Sequence, residues 1–462
     1  MYLYELPTTG AISFADFFTD HSSDKAYARH ILDATQARAN LRGALKEGKR
    51  TDHGEKDYLT LVKVIEEYLP YVQGIMNSIA HDHIGVKIFS WRTTLSANVF
   101  NSSPRLNIPG IHADYAFALL TYAFALSNLA YTIVMSVGQY ELDRAITEDE
   151  RKAKEAKLST AVDFLCRASG IFSYIGNTVL PDWDVSKTSP TSFTKPADLN
   201  REVIEALAKM SLADAQTLAI RRFLSLSTYD SNITPGPPLP KSHRPPAFLA
   251  KLHIECAALY SSARQLAKTS GSSRNASHDS KEVSSDLRRY LHNRANLHHA
   301  LSHKWLGVDA GEKGGTERGG EAVGFTLWSK KELEELKDSG RLLTIGHDEK
   351  EREEVWKREV SEALESVNVF YRYYKKMNDT LHFQPVPPQS ELQARIPGGR
   401  IAMPAKPYVV PSPAFGPGSV EYMHRKTEQM EISGKASADE SSEIAIPPPQ
   451  PTGSYAGAGS YF

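Results

Sequence analysis

The sequence predicts an all-α protein with a small β element near its N-terminus and a disordered C-terminal tail. Three observations lead there. Apolar residues recur at helical spacing through most of residues 24–378. Only residues 86–92, Val-Lys-Ile-Phe-Ser-Trp-Arg, alternate as a strand should. From Phe383 onward proline recurs and the helical period stops. The stretch 415–462, ending Ile-Pro-Pro-Pro-Gln-Pro-Thr-Gly, is therefore expected to be disordered.

Composition narrows the function classes. The 462 residues carry 54 Lys plus Arg against 55 Asp plus Glu, so no bulk charge draws the chain to nucleic acid or anionic lipid. The two cysteines, Cys166 and Cys256, sit in apolar helical patterns, which reads as buried free thiols in a cytosolic setting. The N-terminus lacks the basic and then apolar pattern of a secretory signal.

In chain order, residues 24–46 form an amphipathic helix, with Ala28, Ile31, Leu32, Ala34, Leu41 and Leu45 near helical spacing. A basic turn at 48–54 leads to a second helix, 55–79, in which Pro70 predicts a kink. The strand 86–92 follows, and then a loop at 98–110 holding two prolines.

Residues 115–137, YAFALLTYAFALSNLAYTIVMSV, contain no charged residue, His, Pro or Gly. As a helix they would reach about 35 Å at ~1.5 Å per residue, enough to cross a bilayer. No Lys/Arg cluster flanks them, and Thr121, Ser127, Asn128 and Thr132 interrupt the apolar run. A central helix buried on nearly every side is expected, with a single membrane span as the rival reading.

Further helices are expected at 147–177, opened by a Thr147–Glu150 capping box, and at 196–226, 245–267, 283–305, 322–336 and 347–378. The connections are 180–195, the Pro-rich 228–246, the Ser-rich 268–280 and the Gly-rich 307–320. Successive helices with scarce strands suggest a solenoid.

Catalytic chemistry finds little support. His299 and His303 share a helix face at i, i+4, but Ala300 replaces the Glu that the metalloprotease pattern needs. A metal-dependent helical enzyme stays a rival reading that needs further ligands. The glycines of 307–315 resemble a phosphate loop, yet the Lys there precedes no Ser or Thr. No Gly-x-Ser-x-Gly elbow occurs, and Cys256 reads as a packed thiol. The Tyr-rich basic run 369–377 reads as a packed amphipathic end, with nucleic-acid or lipid binding as the alternative. Residues 447–451 are either a polyproline ligand or an unbound tail. No cofactor and no metal site is expected, and what remains by elimination is a binding scaffold.

Five segments, in this order, resemble the BRO domain of ESCRT-associated proteins such as Alix. They are Ile88-Phe-Ser-Trp before the long Ala-rich helix, Leu212-Ala-Asp-Ala-Gln, Ala247-Phe-Leu-Ala-Lys-Leu, Gly320-Glu-Ala-Val-Gly-Phe-Thr-Leu-Trp, and Asn378-Asp-Thr-Leu-His-Phe-Gln-Pro-Val-Pro. The resemblance covers residues 1–410. Within the family, Leu6-Pro-Thr-Thr, Trp305-Leu-Gly-Val-Asp-Ala-Gly-Glu and the stretch 385–400 look most like the fungal ambient-pH signalling branch.

The resemblance implies a boomerang-shaped domain built round a tetratricopeptide-like solenoid, with a small N-terminal sheet and no catalysis. It implies an adaptor that binds the C-terminal amphipathic helix of the filament-forming ESCRT-III subunit in a groove. It further implies a link to pH-sensing receptor components and to proteolytic activation of a transcription factor. The setting implied is cytoplasmic, with peripheral recruitment to plasma or endosomal membrane and no nucleic-acid partner. The family's contact positions fall on Ala219, Phe248 and Leu252, with a further apolar position at Ile401 or Met403. Ala219 departs from a large aromatic in Alix, and neighbouring Ile220 could substitute for it. Phe248 and Leu252 form an i, i+4 pair, a spacing shared by groove walls and by ordinary core.

Overall fold

A computed structural model describes residues 1–440 apart from 17, 19, 22–24, 52–55, 82–87, 97–104, 186–194, 234–235, 270–282 and 340–346. Two helices, α1 (Ala28–Arg50) and α2 (Tyr58–Ala80), precede strands β1 (Ile88–Arg92) and β2 (Arg105–Pro109). The solenoid follows as α3 (Ile111–Val137), α4 (Glu148–Tyr174), the short α5 (Leu180–Val185), α6 (Arg201–Ile233), α7 (Pro246–Thr269), α8 (Ser285–Lys313), α9 (Gly319–Ser339) and α10 (His347–Met377). A short α11 (Gln389–Ala394) and α12 (Val420–Glu440) close the described chain. Apart from short α5, each of the helices α1 to α10 packs chiefly on its neighbours in sequence, the pattern of a solenoid.

The helix at the centre is α3. It is long and apolar enough to span a bilayer, yet it lies between α2 and α4 with its residues from Tyr115 to Asn128 enclosed in protein. Several of its polar side chains are satisfied inside the fold. Thr121 and Ser127 donate to the Phe117 and Ala123 carbonyls, at 2.6 and 2.9 Å. Asn128 exchanges two hydrogen bonds with the Tyr4 backbone, at 2.8 and 2.9 Å, and so docks the N-terminal segment as a strand partner would. The Tyr4 ring then stacks on Phe124 with centroids 4.3 Å apart. Ala alternating with Phe and Leu lets this happen, since small residues admit neighbouring backbones while large ones fill the gaps.

The sheet is an antiparallel pair with Trp91 opposite Leu106, and Thr9 bridges to Trp91 on the other side. Strand β2 falls inside the stretch expected as a loop. Pro104 and Pro109 bracket four residues, too short a run for alternation to stand out, but Ile108 is buried and pairs with Phe89.

Several helix ends differ from expectation. Helix α6 runs on to Ile233, into the expected loop, and α5 occupies the start of the 180–195 connection. The largest difference is α8, which continues through Gly307 to Lys313 where a flexible glycine connection was expected. Those glycines serve contact. A Cβ on Gly307 would lie 2.7 Å from Thr326 Cγ2 of α9, and one on Gly311 would lie 2.3 Å from the Tyr374 ring of α10. Their lack of a side chain lets three helices approach closely.

The C-terminal boundary also shifts. Phe415 is buried, stacking on His30 with centroids 5.1 Å apart, and helix α12 follows. Residues 415–440, expected as part of a disordered tail, are therefore packed or helical. Residues 441–462, with the polyproline stretch 447–451, lie outside the described residues.

Candidate functional site

Between α11 and α12 an extended strap, residues 396–417, crosses the solenoid against the order of the sequence. Arg400 N–H donates to Lys251 O of α7 at 3.0 Å. Gln216 of α6 then clamps the strap. Its amide donates to Met403 O at 2.6 Å, and its Oε1 accepts from the Ala402 and Met403 amides at 2.6 and 3.1 Å. Lys406 N–H bonds Cys166 O of α4 at 3.0 Å, over Gly170. Ala414 N–H reaches Pro70 O of α2 at 2.9 Å, and Asn77 donates to Pro417 O at 2.9 Å. The strap thus satisfies its backbone groups on four helices in turn, as an irregular segment against a protein face must.

Where the strap meets α6 and α7, two partly buried rings lie side by side. Phe223 of α6 and Phe248 of α7 have centroids 5.9 Å apart. The Arg244 guanidinium lies 5.8 Å from the Phe223 ring centre, and that of Arg400 lies 5.5 Å from Phe248. Next to Arg400, Ile401 is 45% exposed and Met403 40% exposed on the strap. Aromatic rings flanked by arginines and exposed aliphatics are the composition of protein-docking hot spots.

The predicted contact residues divide here. Phe248, Ile401 and Met403 reach the surface, whereas Leu252, Ile220 and Ala219 are 1%, 3% and 4% exposed. Leu252 and Ile220 belong to the main core, on which Phe223, Phe248 and Ala402 pack. These three residues lie beneath that surface and support it. The i, i+4 spacing of Phe248 and Leu252 put one residue at the rim and the other inside. Phe223 and the two arginines carry no sequence signal, because their convergence depends on how α6, α7 and the strap pack together.

Histidines make a second constellation. His299 and His303 of α8 bond through Nδ1 to the two oxygens of Glu332 on α9, each at 2.9 Å. The three ligand atoms lie within 4.8 Å of one another. His303 is buried, with its ring stacked 3.8 Å from Trp328, while His299 is 48% exposed. Although burial opposes it, hydrogen bonds from both rings hold the Glu332 carboxyl below its ordinary range. Elsewhere, burial pushes the Cys256 thiol up, which keeps it protonated and a poor nucleophile. In the Tyr-rich run of α10, Phe370 and Tyr374 are buried, and Tyr374 donates to Glu312 at 2.7 Å.

A family model described as BRO1-like domain matches residues 14–416. The chain belongs to the BRO1-like domain family. A pH-response regulator protein palC of Cryptococcus neoformans var. neoformans serotype D is 35% identical, over 100% of this chain and 99% of that protein. Among solved structures, a complex titled ALIX BRO1 CHMP4C is similar with a TM-score of 0.57, at 16% identity, covering 90% of this chain and 98% of that one. A structure titled as the basis for endosomal targeting by the Bro1 domain is similar with a TM-score of 0.56, at 14% identity, covering 88% and 93%. At these identities the solved structures establish the shared fold, the solenoid with its small N-terminal sheet.

Proposed function

We propose that this BRO1-family chain is a non-enzymatic adaptor of alkaline-pH signalling that docks an ESCRT-III subunit. What supports the signalling role is the end-to-end similarity to a palC pH-response regulator. The docking role draws on the fold shared with the ALIX BRO1–CHMP4C complex and on the Phe223–Phe248 surface. The ligand is the C-terminal amphipathic helix of the filament-forming subunit. Its apolar face lies on Phe223, Phe248, Ile401 and Met403, and its acidic flank meets Arg244 and Arg400. Through that contact the adaptor links ESCRT assemblies, at plasma or endosomal membrane, to the pH-sensing complex and to proteolytic activation of a transcription factor. The reading takes recruitment to the membrane as peripheral, and the burial of α3 as core supports it.

The test has two arms. Fluorescence anisotropy with a labelled C-terminal helix of the subunit should show saturable binding to the purified chain. Deletion of the gene in a fungal host should block processing of the transcription factor at alkaline pH, seen by immunoblot. Absent binding removes the ESCRT-III partner, and normal processing removes the pathway.

A further inference from the structure

We infer that His299, His303 and Glu332 form a divalent transition-metal site that ties α8 to α9, a property outside the adaptor role. The donor set of two imidazoles and one carboxylate is the borderline mixture that suits Zn²⁺. The two histidines share one helix face and the carboxylate comes from the next helix, so neither helix holds the set alone.

The geometry is close to what the ion needs. Bond lengths of about 2.0–2.1 Å place tetrahedral ligand atoms about 3.3 Å apart. Both Nδ1 atoms already sit 2.9 Å from a Glu332 oxygen, and all three ligand atoms fall within 4.8 Å. Stacking on Trp328 holds the buried His303 ring. Half-exposed His299 supplies the entry path. A fourth position stays open to water.

The protons balance. Glu332 binds as carboxylate, and a neutral ring needs only to shift its proton from Nδ1 to Nε2 as Nδ1 takes the metal. Against the ionised Glu332, His303 carries its proton on Nδ1, and among the described residues Nε2 meets no partner, so the shift leaves a buried Nε2–H without an acceptor. The same lack of an outer partner costs about 10–100-fold in affinity. The site is thus an exchangeable one, weaker than a closed structural zinc site.

Isothermal titration of the untagged full-length chain with Zn²⁺ tests this. Binding of one equivalent is expected, with a rise in Tm, and Co²⁺ should give the visible absorption of a low-coordinate site. His299→Ala and Glu332→Gln, both at partly exposed positions, should each weaken binding about tenfold or more and remove the Tm rise and the cobalt band. The chain has 16 histidines, so the variants identify the site. No binding, or binding unchanged in both variants, overturns the proposal.

Discussion

Arg38 of α1 and Asp114 of α3 form an ion pair at 2.9 Å with essentially no solvent access to either side chain. Tyr68 OH and Trp91 Nε1 also donate to the Asp114 carboxylate, at 2.5 and 2.6 Å. Arg38 in turn donates to Thr9 Oγ1 at 2.6 Å and to Gly10 O at 2.9 Å. One carboxylate thereby joins α1, α2, β1 and the N-terminal segment to the start of the central helix. Removing one partner strands the other charge in the core. Arg38→Met and Asp114→Asn are each expected to cost about 3–5 kcal/mol, read as a drop in the urea midpoint. The double variant should recover part of that loss, because no buried charge is then left alone.

The strap's seat on α4 depends on Gly170. A Cβ there would fall 1.7 Å from Lys406 O, which no side-chain rotation relieves. Gly170→Ala is expected to push the strap outward, lower stability by about 1–3 kcal/mol and expose residues 396–417 to limited proteolysis. Parental protease resistance in that variant would contradict the assigned path.

Acid should weaken the fold through a pair of buried rings. His298 Nδ1 lies 2.9 Å from His253 Nδ1, and its Nε2 lies 3.0 Å from Thr217 Oγ1. Burial pushes His298 down to about 3, and burial with the His298 charge pushes His253 well below its ordinary value. The unfolded chain therefore takes up these protons first. Stability is full above about pH 6.5 and falls as pH drops toward 3, by up to about 1.4 kcal/mol per pH unit for each ring. Asp198, pushed up to about 6 by burial, acts in the opposite sense between its ordinary value and 6. Comparing urea midpoints of parent and His298→Gln over that range cancels the Asp198 contribution. The variant should show the shallower slope, and equal slopes would count against the assignment.

The fold was largely readable in the sequence, and the surface only in part. Residues 115–137 declared burial by their lack of charge, and the same lack of charge could not say whether lipid or protein covers them. The answer lies in Asn128 and Asp114, whose partners Tyr4 and Arg38 are far away in sequence. Local pattern misread Gly307 and Gly311 because glycine signals a turn and a close helix contact alike. The strap was invisible because its order comes from Gln216 and from other helices' carbonyls, with no period of its own. Its path also decides which resemblance-derived positions reach solvent. Glu332 was missed for a related reason, since it joins His299 and His303 only when α9 folds back on α8.

The docking surface is tested most directly by the affinity of the ESCRT-III C-terminal helix for the parent, Phe248→Ser and Arg400→Glu. Fluorescence anisotropy should show about 30-fold or greater weakening for Phe248→Ser, the scale of a hot-spot residue, with circular dichroism unchanged. Arg400→Glu should weaken binding further at low salt than at high salt. Parental affinity in a folded Phe248→Ser variant would contradict the assignment of this surface.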